Sequence, residues 1–308
     1  MKTKYIKIIL LISLVFLVVL LLVRKIPNTI EIVMVTKGYN FVQVERDETF
    51  EISFFISTKN SNFSNQNNIK SIAITDEINY LKFKLEDIIL SEEKVYLKNK
   101  WYYNVLFSLK PLIEVTNNFT LEMIDAYLEI AFKNDSYAKL SIGSFSYYLF
   151  QENSQNLSIT KLKGLVNTFN NNKRLVGVLI GIKNNTNKQI KITNIYPLDL
   201  NIKVAYKDII KCNDFIQGET IKEILGYDYN LFEIEENVKL NLCVDDEIRI
   251  FIPLKYIKDI VINKMGFLIE YELDKETFYY CLDDFLFFES NDYLVNLKWL
   301  KFYTYEDS

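Results

Sequence analysis

Apolar and polar residues alternate over most of the chain. In residues 50–56 every second residue is apolar, beginning with Phe50 and ending with Ile56. The same alternation recurs in residues 81–85, 101–109, 176–182, 200–206, 238–244, 248–252 and 267–273. A period of two indicates β-strands with one buried face, and such strands need a second sheet to cover that face. The pattern predicts an all-β protein made of β-sandwiches or of a partly closed barrel.

The first residues have a different pattern. Residues 8–23 are consecutive and apolar except for Ser13, and they lie between Lys7 and Arg24. As a helix, this run is about 24 Å long at roughly 1.5 Å per residue, close to the thickness of a bilayer core. A cleaved secretory signal is the alternative, but the end of the run offers no small residues for cleavage. We therefore expect an uncleaved signal-anchor, a transmembrane helix within residues 1–25.

The charges beside this run bear on its orientation. Three lysines precede it, whereas Arg24 and Lys25 follow it, so the positive-inside rule favours a cytoplasmic amino terminus only slightly. A long region that follows a first apolar segment usually crosses the membrane. We expect a single-pass membrane protein with residues 26–308 extracytoplasmic.

A gapless internal alignment suggests how the remainder is divided. Residues 69–89 align with residues 190–210, and seven of the 21 positions are identical. The polar stretch 151–156 lies between the two copies and suits a linker. We predict two tandem β-sandwich domains, the first at residues 26–152 and the second at residues 157–308.

The matched blocks are further apart in the second copy, which predicts an insertion at residues 211–237. Its apolar residues do not alternate, and Phe215, Tyr227, Tyr229 and Phe232 are candidates for a partner surface. The alternative is that these side chains pack on their own domain as a lid.

A strand, turn and strand pattern in the second copy bears on the type of sandwich. Residues 176–182, the polar residues 183–186 and residues 190–195 follow one another in this order. They resemble the opening hairpin of membrane-anchored extracytoplasmic Ig-like modules, which implies an Ig-like architecture for the two domains. Gly177 and Gly181 lie within the alternating run and predict the close approach of a neighbouring strand.

The composition excludes several classes of function. The 308 residues contain no His, three Cys and eight Gly, which excludes Ser-His-Asp catalysis, Cys₄ zinc sites and glycine-rich phosphate loops. The net charge is −4, and because residues 1–25 contain five basic and no acidic residues, the remainder carries −9. An acidic ectodomain repels phosphate backbones, so we expect no nucleic-acid partner.

The pattern Cys-x-Asp-Asp occurs twice. Asp245 and Asp246 follow Cys243, and Asp283 and Asp284 follow Cys281. If the two strand ends were adjacent, the four carboxylates would be candidate calcium ligands; the alternative is two unrelated turns.

A second hypothesis concerns the thiols. Cys212 and Cys243 border the predicted insertion, and a disulfide between them would protect a thiol that faces an oxidising exterior. The alternative is three ordinary thiols.

Aromatic residues, 15% of the chain, occur in clusters. The clusters are residues 101–103, 147–148, 279–280, 285–288 and 299–305. Burial between sheets is one interpretation, and a partner-binding or glycan-stacking surface is the other. The tail at residues 293–305 is interpreted as either a closing strand or an amphipathic docking segment.

These patterns favour a non-enzymatic, membrane-anchored extracytoplasmic interaction or structural module of the cell envelope, accessory to a membrane complex or transporter. The first alternative is a binding protein for a small ligand, lipid or ion. The second is an envelope hydrolase that uses paired carboxylates. We expect a protein partner in the envelope and no cofactor, and the sequence leaves the oligomeric state open.

Overall fold

The structure is a computed structural model that describes residues 28–43, 48–113, 118–150, 155–169, 172–205, 210–211, 240–244, 246–287 and 297–307. These residues form eighteen β-strands joined by turns and short 3-10 helices, and no α-helix occurs among them. The all-β prediction is therefore confirmed for the described part of the chain. The strands belong to two bodies, which we call the first and the second module.

The first module is one nine-stranded sheet. Its strands are β1 (Asn28–Val35), β2 (Lys37–Gln43), β3 (Phe50–Ile56), β4 (Ile69–Thr75), β5 (Tyr80–Leu97), β6 (Lys100–Pro111), β7 (Phe119–Phe132), β8 (Tyr137–Leu149) and β18 (Leu300–Asp307). The order is β18-β1-β3-β6-β5-β4-β7-β8-β2, and all pairs are antiparallel except β2 with β8. β2, at one end of this sheet, faces β3, since the ring centroids of Tyr39 and Phe50 are 5.8 Å apart. The sheet therefore curls around a core of alternate apolar residues.

The two ends of this curled sheet meet. The backbone N–H of Ser141 on β8 donates to the Tyr303 hydroxyl on β18 over 2.9 Å. The ring of Tyr305 packs edge-on against Phe63 at 5.0 Å and lies 5.4 Å from Phe132. The first module is thus close to a partly closed barrel, one of the two architectures that the alternating pattern predicts.

The last strand corrects the domain prediction. Residues 157–308 were expected to form one domain, but β18 pairs along its whole length with β1, from Val35 opposite Leu300 to Asn28 opposite Asp307. From residue 300 onward the tail is therefore a closing strand, as one interpretation held, but it closes the first module. The apolar side chains of β18, Tyr305 among them, pack in the core of the first module and not in the core of the second module.

The second module is a sandwich of two separate sheets. The strands are β9 (Leu157–Phe169), β10 (Asn172–Asn184), β11 (Ile190–Pro197), β12 (Ile202–Val204), β13 (Ile210–Lys211), β14 (Leu240–Leu242), β15 (Glu247–Tyr256), β16 (Lys264–Leu273) and β17 (Glu276–Leu286). One sheet has the order β12-β15-β10-β9, with β13 also on β15, and the other has the order β14-β11-β16-β17. Isoleucines and other apolar residues fill the space between them.

The prediction for the two glycines of β10 is confirmed. A Cβ atom on Gly177 would lie 2.2 Å from Cε2 of Phe251 on β15. A Cβ on Gly181 would lie 2.4 Å from Oγ1 of Thr160 on β9. Because the two glycines have no Cβ, the side chains of Phe251 and Thr160 on the neighbouring strands can pack directly against the backbone of β10.

The internal repeat does not extend to strand pairing. In the first module β4 pairs directly with β5, whereas the aligned strands β11 and β12 lie in different sheets. The aligned segments share an alternating pattern, which any half-buried strand has, and this explains why they match without being equivalent.

Two further predictions fall wholly or partly outside the described residues. No helix in the described ranges is long and apolar enough to cross a membrane, and the signal-anchor predicted in residues 1–25 lies outside those ranges. β8 ends at Leu149 and β9 begins at Leu157, on either side of the stretch predicted as a linker, of which only residues 155–156 are described.

Candidate functional site

The β5–β6 hairpin ends in a tight turn that carries exposed aromatic side chains. We call residues 94–103 the hairpin tip. Lys98 and Asn99 both have positive φ angles, 43° and 65°, and form a two-residue turn whose twist matches that of the flanking strands. Tyr96 and Trp101 are opposite each other across the two strands.

One face of the hairpin tip packs back on the first module. Leu97 and Tyr102 join Val33, Phe55 and Leu300 in a buried cluster outside the main core. The Lys98 ammonium lies 3.7 Å from the ring centroid of Phe302 on β18. The tip is therefore held against β1, β3 and β18 rather than projecting freely.

Glu31 on β1 fixes the hairpin tip by polar contacts. The Tyr102 hydroxyl donates to Oε2 of Glu31 over 2.8 Å, and the Lys100 ammonium pairs with Oε1. The hydrogen bonds from Lys100 and Tyr102 hold the pKa of Glu31 below its usual range. Burial, followed by the hydrogen bond to Glu31, raises the pKa of Tyr102 to about 12. Both groups thus keep the protonation states that the contact needs at neutral pH.

The opposite face presents an aromatic pair to solvent. Tyr96 is 55% exposed and Trp101 is 57% exposed, and their ring centroids are 4.9 Å apart at an interplanar angle of 52°. Because the strands behind them are anchored, little conformational freedom remains to be lost when a partner covers the two rings. The arrangement suits binding through an aromatic anchor.

A buried polar network joins the two modules. The Nδ2 group of Asn40 on β2 donates to Oδ2 of Asp199 over 2.5 Å and to the carbonyl of Lys264 over 3.1 Å. Oδ1 of Asp199 accepts from the backbone N–H of Asn201, at 2.7 Å, and from its Nδ2. Nδ2 of Asn201 also donates to the Ser144 hydroxyl on β8 over 2.8 Å. The network ties the loop between β11 and β12 to the edge of the first sheet.

Apolar contacts surround this network. Val42 on β2 and Tyr148 on β8 pack with Leu198 and Cys281 of the second module. The backbone N–H of Gly38 donates to the carbonyl of Val261 over 2.9 Å. The second module therefore covers part of the exposed edge of β2, which would otherwise be open for pairing with another chain.

Asp199 makes the network sensitive to pH. It is 3% exposed, and burial raises its pKa even though Asn40 and Asn201 donate to it; the charge of Glu122 acts in the same direction. The hydroxyl of Tyr148 donates to Glu122, and burial raises the pKa of that phenol.

We expect the free energy of unfolding to fall as the pH rises from the unfolded pKa of Asp199, near 3.8, through its higher folded pKa. The sign follows because the unfolded chain releases this proton first, so the stabilisation is complete only below the unfolded value. Asp199→Asn should remove this part of the pH dependence in urea denaturation. Glu77→Gln, at an exposed turn position, should keep it. An unchanged pH profile in Asp199→Asn would contradict this assignment.

The Cys-x-Asp-Asp pairs lie apart. Leu242, the residue before Cys243, pairs with Ile190. This pair lies at the end of the sheet where β16 turns into β17, so Cys243 lies near that turn. Asp283 lies seven positions along β17 from Glu276 at that turn, about 23 Å at roughly 3.3 Å per residue. Among the described residues no three His, Cys, Asp or Glu side chains form a group suited to a metal ion.

The remaining predicted site residues are placed only in part. Cys243 is exposed, whereas Cys281 is buried. Residues outside the described ranges are Cys212, Phe215, Tyr227, Tyr229, Phe232 and Asp245, and the side chain of Asp284 is not described either. The disulfide and the insertion surface therefore stay predictions.

Sequence reasoning found Trp101 within an aromatic cluster but missed the polar residues. Glu31 lies between two buried isoleucines, and Asp199 and Asn201 interrupt an apolar run. A charged or amide residue flanked by apolar residues on both sides was the available signal for each of them.

The sequence matches no protein family, and no curated protein is similar to it at a significant level. Several solved structures align over most of the chain. They include the C-terminal domain of the antigen I/II polypeptide BspA of Streptococcus agalactiae (8% identity, 82% of this chain, 98% of that chain, TM-score 0.17). Others are the titin fragment A168169 (7%, 82%, 97%, TM-score 0.17) and a variant of CfaE, the CFA/I adhesin of enterotoxigenic E. coli (8%, 82%, 85%, TM-score 0.19). At such scores the similarity carries no argument about function.

Proposed function

We propose that this protein is a membrane-anchored extracytoplasmic interaction module of the cell envelope that binds a protein partner through the hairpin tip. The observation that carries the proposal is the solvent-facing pair of Tyr96 and Trp101 on an anchored hairpin. Trp and Tyr are the residue types most enriched among side chains that dominate binding energy. The apolar run at residues 8–23 supports the membrane anchor.

The contacts of the hairpin tip support a binding role more than a structural one. Val95, Leu97 and Tyr102 supply the packing that holds the tip, and Glu31 supplies its polar anchor. Tyr96 and Trp101 face away from all of these groups. Their exposed apolar area becomes useful only when another molecule covers it.

We expect Trp101→Ala to leave the stability of the protein within about 1 kcal/mol, because the ring is more than half exposed. The same substitution should abolish crosslinking to the partner. The measurement places a photo-crosslinking amino acid at position 96 of the full chain in intact cells and follows one specific adduct on gels. Introducing Trp101→Ala into that chain should remove the adduct.

The matched control places the crosslinker at Ile78, which is 90% exposed in a different turn. No adduct of the same mass should form there. Equal adducts from positions 78 and 96, or an adduct that survives Trp101→Ala, would contradict the proposed surface. Recovery of the protein in the soluble fraction would separately contradict the anchor.

A further inference from the structure

The outer face of the β14-β11-β16-β17 sheet is covered only in part. Leu268 and Cys281 are opposite each other on β16 and β17, and both pack with residues of the first module. Two residues away along the same strands, Glu270 and Tyr279 are also opposite each other. Tyr279 is 48% exposed, and Tyr196 on β11 is 39% exposed. We call Tyr196, Glu270 and Tyr279 the acidic aromatic patch.

The carboxylate of Glu270 is held in place by neighbouring side chains. Its Oε1 accepts from the Thr193 hydroxyl over 2.7 Å and from Nδ2 of Asn194 over 3.3 Å, and its Oε2 accepts from the Tyr196 hydroxyl over 3.3 Å. Burial, followed by the charge of Glu270, raises the pKa of Tyr196, so this phenol remains a hydrogen-bond donor at neutral pH. Because a carboxylate has about four acceptor positions, Oε2 can accept one further donor.

The carboxylate of Glu270 has no counter-ion among the residues that the structure describes. No lysine or arginine in that part of the chain forms an ion pair with it. Lys191, one row further along the same face, pairs with Glu272 over 2.7 Å instead. The faces of the two tyrosine rings beside Glu270 also attract positive charge. A cation is therefore the ligand to which both the rings and the carboxylate are complementary.

We propose that the acidic aromatic patch binds an arginine side chain of a protein partner. The guanidinium donates to Oε2 of Glu270 and stacks on the exposed ring of Tyr279. Arginine suits the patch better than lysine does, because its planar group stacks on aromatic rings and is less strongly hydrated. The patch belongs to the second module, whereas the hairpin tip belongs to the first, so the two contacts are separate.

The first test is calorimetric titration of the full chain in mild detergent with a pentapeptide that contains two arginines separated by glycine. A peptide with citrulline in place of both arginines has the same shape without the charge, and it should bind at least about tenfold more weakly. Glu270→Gln should weaken binding of the arginine peptide by a similar factor, and Tyr279→Leu should weaken it about two- to fivefold. Glu276→Gln, which changes an exposed carboxylate on the same strand as Tyr279, should leave the affinity unchanged.

Three results would overturn the proposal. They are the absence of binding by the arginine peptide, equal affinities for the two peptides, and an affinity that Glu270→Gln does not change. Binding of a neutral oligosaccharide of N-acetylglucosamine in place of the arginine peptide would show that the patch recognises sugars instead.

A second measurement uses the unmodified protein and does not depend on how a variant folds. A carbodiimide joins a carboxylate to an amine in contact with it, and the same pentapeptide with lysines in place of arginines supplies the amine. Mass spectrometry of peptides should locate the adduct at the half-buried Glu270 rather than at the exposed Glu276, and excess arginine peptide should suppress it. Adducts as frequent at Glu276 as at Glu270, or unaffected by the arginine peptide, would contradict binding at the patch.

Discussion

Replacing Tyr305 with alanine should destabilise the first module by about 3–5 kcal/mol, the range for removing a large buried aromatic side chain. The ring packs against Phe63 and Phe132, and its hydroxyl hydrogen-bonds that of Ser136. The substitution therefore leaves a cavity, while the Ser136 hydroxyl keeps its hydrogen bond to Oδ1 of Asn134. The other strands of this module lie more than 150 residues earlier in the sequence. Urea denaturation of the full chain gives the magnitude.

Hydrogen exchange locates the effect. In Tyr305→Ala, amides of β1, β4 and β8 should exchange faster, whereas those of β10 and β15 should lose little protection. Thr304→Ala is the matched control, because its side chain is exposed on the same strand and the backbone pairing with Glu31 is retained. Loss of protection in the second module alone would show that the tail belongs to that module.

Gly143→Ala should cost about 2–4 kcal/mol, from backbone strain and overpacking together. Gly143 has a φ of +103°, which a residue with a Cβ rarely adopts. An added Cβ would lie 2.5 Å from the carbonyl oxygen of Lys37 and 2.9 Å from its nitrogen. Since these are backbone atoms of the paired strand β2, no side-chain rotation relieves the clash.

The expected structural result of Gly143→Ala is the separation of β2 from β8 near Lys37. Exchange of the β2 amides should accelerate most, while the β4–β7 pair should stay protected. A stability within about 0.5 kcal/mol of the unmodified protein would contradict the expected strain.

Local periodicity predicted much of the strand content, because half-buried strands alternate in sequence as they do in space. Phe50–Ile56 is a strand as predicted, and the predicted run 267–273 lies within β16. β5 was recognised only at its start, since the pairing with β6 is irregular between Leu85 and Asp87 and between Leu90 and Lys94. Each irregularity shifts the period, so an eighteen-residue strand has no continuous alternation.

Strand partners were not predictable by the same means. The pairing of β1 with β18 joins residues about 270 positions apart, and nothing in the periodicity of either strand identifies the other. The junction was missed for a related reason. Asn40 and Ser144 resemble ordinary turn or surface residues in sequence, and only the packing of two modules makes them buried partners of Asp199 and Asn201.

The contact between Glu31 and the hairpin tip also defines a route for mechanical load. Glu31 is three residues from Asn28, the first described residue of β1, and it holds Lys100 and Tyr102 directly. In a chain tethered through the residues before β1, tension applied by a partner at Trp101 passes through this contact into β1. The second module lies outside that route. Tension on residue 28 would reach the β1–β18 ladder first at its Asn28–Asp307 end.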